Sequence, residues 1–521
     1  MALETLDIWV AVGYAVIIFI LAQWVSRESV DHSKNTSDYF LAGRSLPWWA
    51  IGASLIAANI SAEQIIGMSG SAYVMGLAIA SYEWMSAITL ILVGKYFLPI
   101  FLKHKIYTMP QYLEQRYDER VRIIMAIFWL GVYVLVNLTS ILWLGALAIN
   151  SITGVDITLA LIVLGVFTGG YSLYGGLKAV AFTDIIQVTL LVAGGLMIAW
   201  ITLDQISGGA GAIAGFSELI TQVPDKFDMI LSKDNPNYMS LPGISVLVGG
   251  MWIMNLSYWG FNQYIIQRAL AAKSTREAQL GILFAAFLKL LMPVLVVLPG
   301  IAAVVLMPDL SAPDQAYPEM MKLLPVGIKG IVFAALIAAI VSSLASMTNS
   351  ISTIFTMDLF VHLSKKDHSQ QRLVTIGRVV SLVSLAFAMV VARPLLGGFD
   401  QAFQYIQEFT GFFTPGIVVI FLLGMFWKKT TASAALLAAL SSALLSLSFK
   451  LLWPELPFID RVGLVFLLCA LIAVIVSLAK PQPLSSSAVN LEDVDFSTST
   501  TFNLASIAVV LVLSGFYIAW W

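Results

Sequence analysis

The sequence predicts an all-α protein that crosses a membrane many times. Of its 521 residues, 59% are hydrophobic and only 11% are charged, and the mean hydropathy is +0.89. Soluble domains carry about 25% charged residues, so a chain this apolar can cover its surface only with lipid. Apolar stretches of about 20 residues, the length that spans a bilayer as a helix, recur from one end of the chain to the other.

These stretches define fourteen predicted membrane spans. The first is interpreted as a span and not as a signal peptide, because Glu4 and Asp7 precede it, Arg27 follows it, and it has no small-residue cleavage site. The predicted spans are 6–26, 46–73, 77–101, 122–149, 157–174, 180–203, 243–267, 277–307, 328–361, 374–392, 400–427, 430–449, 460–479 and 502–520.

The distribution of basic residues predicts the orientation of these spans. With the N-terminus outside, the inner loops collect eighteen Lys and Arg residues, among them Lys178 and Arg268, whereas the outer loops collect seven. Because cytoplasmic loops are enriched in Lys and Arg, both termini are expected on the outer face of the membrane.

Composition and motifs exclude several classes of function. The formal charge of −2 and the lack of a basic stripe argue against nucleic-acid binding. The sequence has no metalloprotease, serine-hydrolase or phosphate-loop motif, and its four histidines all fall outside the predicted membrane core. We therefore do not expect an enzyme.

Four predicted spans carry polar side chains away from their ends: near the middle of span two, several residues into span three, within span seven and about a dozen residues into span eight. Such residues are usually functional, because an Asp, Lys or Arg at the centre of a membrane helix costs about 2.5–3.5 kcal/mol. The structural alternatives are that they join buried helices by hydrogen bonds, that Glu83 pairs with a lysine, and that span seven is an aromatic-rich helix near a membrane interface. The residues are Asn59, Ser61, Glu63 and Gln64 in span two, Glu83 in span three, Asn255, Ser257, Tyr258, Trp259, Asn262 and Gln263 in span seven, and Lys289 in span eight.

Spans two and seven are expected to be broken helices. A break near 58–61 would free backbone carbonyls to line a cavity. The two spans are five apart, which is typical of two inverted five-helix repeats whose substrate site lies at the membrane midplane. The predicted regions are an extra helix and loop (1–45), a first repeat (46–203), an outer loop (204–242), a second repeat (243–427) and C-terminal accessory helices (428–521).

The polar groups of these spans favour a sugar as the ligand. Amides, a carboxylate and an ammonium group can hold several hydroxyls, and the rings of Tyr82, Tyr258 and Trp259 offer flat faces for the apolar side of a pyranose. Lys289 needs an acceptor in lipid, which Glu83 or a ligand hydroxyl would supply.

A cation site is also expected at the ninth span. The hydroxyls of Ser342 and Ser343, with carbonyls freed at the break in span two, would form an all-oxygen shell suited to Na⁺. Alternatively, these hydroxyls bond back to their own helix. Asp184 at the inner end of span six is a candidate for guiding the ion out, or else a helix-capping residue.

Six long blocks then follow one another along the chain: GASLIAANISAEQIIGMSGSAY, SYEWMSAITLILVGKYFLPIF, YGGLKAVAFTDIIQ, WGFNQYIIQRALAAKS, VFAALIAAIVSSLASM and FQYIQEFTGFF. Together they resemble the sodium/solute symporter family, most closely its bacterial sodium/galactose branch. The resemblance runs from about 38 to 427 and implies a LeuT-like inverted-repeat core, Na⁺ as coupling ion and no organic cofactor.

The resemblance also implies roles for individual residues, all of which have the expected type except the neighbouring Ser257, where an aromatic residue is expected. The sugar would be held by Asn59, Gln64, Glu83, Ser86, Asn255, Lys289 and Gln407 beside Trp259; Met68, Tyr82 and Phe403 would form the outer gate and Tyr258 the inner gate; Na⁺ would contact carbonyls of Ala57, Ile60 and Ala339 and hydroxyls of Ser342 and Ser343.

The expected function is Na⁺-coupled uptake of galactose or glucose across a bacterial inner membrane by alternating access. The expected partners are a sugar and membrane lipid. Two alternatives remain open at this point: a symporter for another polyol or small organic solute, and a solute sensor that binds without transporting.

Overall fold

A computed structural model describes residues 3–25, 36–364, 367–397, 402–481 and 490–521, with the backbone alone at 22, 23, 25, 36, 39 and 171–180. All regular elements in these ranges are helical, which confirms the predicted all-α class. The helices used below are α1 (Thr5–Val25), α2 (Trp48–Asn59), α3 (Glu63–Lys103), α4 (Glu119–Thr153), α5 (Ile157–Ile206), α6 (Gly250–Leu256), α7 (Gln263–Leu270), α8 (Thr275–Leu306), α9 (Ile328–Ser364), α10 (Gln370–Leu396), α11 (Ala402–Gly411), α12 (Thr414–Phe426), α13 (Ala432–Leu452), α14 (Phe458–Ala479) and α15 (Thr500–Ala519).

Short helices Thr36–Leu41, Met109–Arg116, Ala212–Gln222 and Ala316–Met321 lie in the connections between the longer ones. Within the described ranges, nine helices are long and apolar enough to cross a membrane, or ten if the bent pair α11 and α12 counts as one span. The other predicted spans are present as shorter or interrupted helices, as expected where spans two and seven break. These helices support a multi-pass membrane protein.

The predicted boundary between spans five and six differs from the structure. A single helix, α5, covers both in 50 residues, whereas the sequence predicts a short inner loop near 175–179. The side chain of Lys178, assigned to that loop, lies outside the described residues, as does Arg27. Phe167 and Gln187 nevertheless line one cavity, although 20 residues of straight helix would separate them by about 30 Å. The helix α5 is therefore not straight, and its two halves lie side by side.

Both predicted helix breaks are present. Helix α2 ends at Asn59, the backbone leaves helical geometry at Ile60 (φ −72°, ψ 69°), and α3 begins at Glu63. In the seventh predicted span, α6 continues in wider helical turns over Ser257–Phe261 before Asn262 adopts an extended conformation (φ −79°, ψ 117°) and α7 begins. The Asn262 side chain then caps α7 by accepting from the Tyr264 amide.

The helix α3 turns sharply at Gly76, which separates the second and third predicted spans. Gly76 has φ +73°, and a Cβ there would lie 2.2 Å from the carbonyl oxygen of Lys226. The Lys226 ammonium donates to the carbonyls of Val74 (2.5 Å) and Tyr73 (3.2 Å), so the outer loop is fastened to this turn. Partial burial lowers the pKa of Lys226 below its ordinary value, against the opposing effect of Asp225.

Substituting Gly76→Ala is expected to destabilise the protein by about 1–3 kcal/mol from the backbone conformation alone, with a further cost from the contact with Lys226. The measurement is the thermal unfolding midpoint in detergent. Gly131→Ala on α4 is the matched control, because a Cβ there meets nothing within 4 Å. Equal midpoints for the two variants would contradict the assigned turn.

The helices α2, α3, α5, α8 and α9 form the buried centre of the bundle. Helix α9 is the most enclosed of the candidate spans, with 89% of its most apolar window buried. It packs against α5, and α2 packs against both α5 and α8. The break at the end of α2 lies against α9. The candidate site lies at this contact.

Candidate functional site

A buried ion pair occupies the middle of the bundle. The Lys289 ammonium on α8 donates to the Glu83 carboxylate and to the Asn59 side-chain carbonyl. Lys289 is fully buried, and its ammonium lies 4.8 Å from the centre of the Trp259 ring. An ammonium group without partners would be unstable inside the membrane. Three partners, one each from α2, α3 and the extension of α6, stabilise it here.

Glu83 lies several residues after the turn at Gly76, as the sequence predicts, in the first turn of the α-helical segment Ser81–Leu92. Its side chain is buried. The lysine that pairs with it is Lys289, as the structural alternative predicts. A role of Glu83 in binding a sugar stays a prediction.

A small cavity of about 50 Å³ adjoins this pair. Ser86 and Asn255 meet on its wall, where the Ser86 hydroxyl donates to the Asn255 side-chain carbonyl at 2.6 Å or to the Tyr82 backbone carbonyl at the same distance. All the predicted sugar-binding residues except Lys289 line the cavity, and Lys289 contacts it through Glu83 and Asn59. The lining comprises Asn59, Gln64, Tyr82, Glu83, Ser86, Met254, Asn255, Tyr258, Trp259, Phe403 and Gln407.

Aromatic residues close the cavity on two sides. The rings of Tyr82 and Phe403 meet edge to face, 5.4 Å apart. On another side, Tyr258 packs against Trp259 at 5.1 Å, and its hydroxyl accepts a hydrogen bond of 3.2 Å from the Asn59 amide. Met68 is fully buried on α3 in the same core. Three of the four predicted gate residues therefore line the cavity.

A second polar cavity of about 90 Å³ lies next to the first and shares Gln64, Met254, Tyr258 and Gln407 with it. Glu63 lines this cavity and accepts a hydrogen bond from the Ser140 hydroxyl. Ser257, where the family resemblance implies an aromatic residue, also lines it. Its polar wall also includes Tyr133, Asn137, Asn262, Thr410 and Thr414. Neither Asn137 nor Ser140 was predicted as a site residue, since a few amides and hydroxyls in an otherwise apolar helix give no local signal of function.

Two of the predicted cation ligands, Ala57 and Ser343, meet at the break after α2. The Ser343 hydroxyl lies 3.1 Å from the Ala58 carbonyl oxygen and 3.3 Å from that of Ala57. Ile60 lies at the break, and Ala339 is one helical turn before Ser343 on α9; both are buried. The structure thus brings Ser343 to Ala57, and adds Ala58 and the Tyr264 hydroxyl, which donates to the Ala58 carbonyl.

Ser342 points into a separate buried network. Its hydroxyl donates to the Asp184 carboxylate, which also accepts from Ser54 at 2.5 Å. Asp184 is fully buried inside α5, so the alternative of a helix-capping residue is wrong. The structure leaves its proposed role in ion release as a prediction.

Arg268 was assigned to an inner loop, and this assignment is wrong. It is 1% exposed on α7 and donates to the backbone carbonyls of Ser54 (2.9 Å) and Tyr264 (2.7 Å) and to the hydroxyls of Ser54 and Ser346. Its charge faces that of Asp184 across Ser54. No sequence signal marks it, because a basic residue near the end of an apolar segment is usually a loop charge.

Three groups of atoms thus lie side by side in a buried, broken-helix core: a neutralised ion pair beside a polar cavity, aromatic rings closing that cavity, and an oxygen cluster at the helix break. Discontinuous helices that bring a polar site and freed carbonyls to the centre of a membrane bundle define a secondary transporter.

Comparison with known protein families supports the same class of protein. The family model for the sodium:solute symporter family covers residues 39–441, and the chain belongs to this family. It is a sodium/solute symporter, a membrane transporter and not an enzyme.

Individual relatives match between 85% and 100% of this chain. A sodium/glucose cotransporter of Vibrio parahaemolyticus is 50% identical over 537 aligned residues, covering 100% of this chain and 99% of the relative. Sodium/myo-inositol cotransporter 2 of Homo sapiens is 33% identical, covering 85% of this chain and 70% of the relative. Among solved structures, a substrate-bound, outward-open Na⁺-coupled sialic acid symporter matches with a TM-score of 0.81 at 24% identity, covering 92% of this chain and 100% of that one. At 24% identity, the likeness to the sialic acid symporter is evidence for a shared fold alone.

Proposed function

We propose that this symporter couples Na⁺ entry to the uptake of a monosaccharide, galactose or glucose, by alternating access. The observation that carries the proposal is the cavity beside Lys289, Glu83 and Asn59, where ammonium, carboxylate and amide groups converge next to the Trp259 ring. The 50% identity to a sodium/glucose cotransporter supports the same substrate class.

The cavity is closed to a hexose in this conformation. Its volume of about 50 Å³ accommodates at most one or two waters, each of which takes about 30 Å³ in the liquid. Sugar entry therefore requires the Tyr82 and Phe403 rings to separate, and the sugar hydroxyls would then replace part of the hydrogen bonding between Lys289 and its partners. On release, the second cavity beyond Gln64 and Tyr258 would receive the sugar.

Sodium would act at the helix break. In this structure, the Ser343 hydroxyl contacts the Ala57 and Ala58 carbonyls. An ion there would be held by those oxygens together with the carbonyls of Ile60 and Ala339, and by the Ser342 hydroxyl once it turns away from Asp184. By joining α9 to the end of α2, it would fix the break that carries Asn59. The ion can favour one state only by its differential affinity for the two states.

The energy available is sufficient for strong accumulation. One Na⁺ crossing a potential of 100 mV releases about 2.3 kcal/mol, and a tenfold concentration gradient adds about 1.4 kcal/mol. With one ion per sugar, the inside concentration would reach on the order of several hundred times the outside concentration.

The proposed topology has fourteen spans with inverted repeats over 46–203 and 243–427 in a bacterial inner membrane, and both termini on the periplasmic side. The two broken helices, one in each half, support the repeat. Cysteine accessibility at each end of the intact chain tests the orientation.

Another polyol is the second candidate substrate, because myo-inositol cotransporters are 33% identical to this chain. Competition of labelled galactose uptake by hexoses, myo-inositol and proline distinguishes the candidates. Uptake into proteoliposomes with and without a Na⁺ gradient is the primary test: a solute that binds but does not accumulate would indicate a sensor.

Replacing Ser343 by alanine is expected to raise the Na⁺ concentration for half-maximal uptake by about tenfold, because one hydrogen bond or ligand oxygen is worth about 1–1.5 kcal/mol. Uptake in proteoliposomes over a Na⁺ series measures this. Ser448→Ala on α13 is the control, since Ser448 is exposed and bonds only to its own helix. An unchanged Na⁺ dependence in the Ser343 variant would remove this residue from the ion site.

A further inference from the structure

A separate cavity lies between the first helix and the core. It has a volume of about 220 Å³ and is enclosed by α1, α4, α5 and α9. Helix α1 is attached at one end, where the Asp7 carboxylate accepts from the backbone amides of Gly327 (2.7 Å) and Gly330 (3.0 Å). Further along, small residues face each other and leave a gap between the helices: Ala11 and Ala15 on α1, and Ala334 and Ala338 on α9.

Two polar atoms line this cavity without a hydrogen-bond partner among the described residues. They are the Tyr14 hydroxyl and the side-chain carbonyl oxygen of Gln187. Gln187 is 1% exposed. A buried polar atom without a partner costs about 1–3 kcal/mol, so an occupant of the cavity that satisfies both atoms would be favoured.

Water does not meet this requirement across the whole cavity. A volume of about 220 Å³ corresponds to roughly seven waters in the liquid, each of which needs two to four polar partners. The remaining lining residues are apolar, and none of the described lining residues is charged. The cavity therefore suits a mainly apolar molecule with one neutral polar group.

The cavity opens towards the outer surface of the helix bundle. Val12 on α1 and Val163 on α5 line it and are about half exposed, at 50% and 54%. In a membrane protein, an exposed valine at this position faces lipid. The molecule that enters between these two helices is thus one dissolved in the bilayer.

We propose that this cavity binds a neutral, hydroxyl-bearing membrane amphiphile. Its apolar chain would pack between Phe167 and Phe333, and its hydroxyl would accept a hydrogen bond from Tyr14 and donate one to the Gln187 carbonyl oxygen. A fatty-acid carboxylate or a phosphate headgroup does not fit, because the lining offers no cation to pair with it.

The test is photolabelling of the purified full chain in nanodiscs with an octanol that carries a diazirine, followed by mass spectrometry of the labelled peptides. Label is expected on α1, α5 or α9 at the cavity, and unlabelled octanol is expected to compete at least tenfold better than octane. Gln187→Leu, which removes the acceptor but keeps a similar volume, is expected to lower labelling at least fivefold.

Two variants that fill the cavity with a larger side chain, one on α9 and one on α1, test where the label binds. Ala338→Phe and Ala15→Phe are each expected to abolish cavity labelling, whereas Ala386→Phe at an exposed position of α10 leaves it unchanged. If one variant fails to fold, the other still decides. Labelling that persists in a folded filling variant, or competition by octane equal to that by octanol, would overturn the proposal. Because labelling needs neither Na⁺ nor sugar, its outcome is independent of the proposed transport function.

Discussion

Substituting Lys289→Met is expected to lower sugar uptake into proteoliposomes by about a hundredfold or more, because a buried site left with unpaired polar groups discriminates by this order or beyond. The change removes the donor to both Glu83 and Asn59. It also leaves the Glu83 carboxylate buried without a charge partner, which costs about 3–5 kcal/mol of stability.

The double variant Lys289→Met with Glu83→Gln separates binding from folding. With both charges removed, the unfolding midpoint should recover towards that of the unmodified protein, whereas uptake should stay abolished. Lys273→Ala provides a control at an exposed lysine. Uptake that returns along with stability would show that the pair only supports the fold and does not bind sugar.

The second large effect is expected on stability at Arg268. Substituting Arg268→Met should destabilise the protein by about 3–5 kcal/mol, because Asp184 then remains buried beside Ser54 and Ser342 with no compensating charge. The thermal unfolding midpoint in detergent measures the loss.

Neutralising the carboxylate should reverse most of this loss, so Arg268→Met combined with Asp184→Asn is expected to unfold at a clearly higher temperature than Arg268→Met alone. Arg276→Met is the matched control, because Arg276 is exposed only eight positions further along. If the double variant is no more stable than the single one, Asp184 and Arg268 do not compensate each other.

Some parts of this fold were predictable, because they follow from hydropathy and from the positions of polar residues in the sequence. The break at 58–61 agrees with the observed end of α2 at Asn59, since clustered amides are tolerated in lipid only where a helix is interrupted or enclosed. Lys289 and Glu83 were recognisable for the same reason, and their mutual contact was one of two expected outcomes. Gln407 became a candidate only through the family resemblance, because an amide in a helix that begins near the membrane surface is unremarkable.

The unpredicted parts depend on three-dimensional packing. Arg268 looks like a loop charge, and only the fold places it beside Ser54 and Ser346. The loop expected between spans five and six is helical because no Pro occurs in 157–206 and a glycine pair there need not end a helix. Ser140 meets Glu63 from another helix, and no pattern within one helix predicts such a contact.

The Asn59 side chain links Lys289 to Tyr258. Its carbonyl oxygen accepts from Lys289, and its amide nitrogen donates to the Tyr258 hydroxyl. Because a carboxamide is planar and rigid, its two ends cannot reorient separately. A solute that draws the Lys289 ammonium away from Asn59 would turn this carboxamide and thereby also release the Tyr258 hydroxyl. Arrival of the solute beside Lys289 and loosening of the contact with Tyr258 would then be coupled through rotation about one side-chain bond of Asn59.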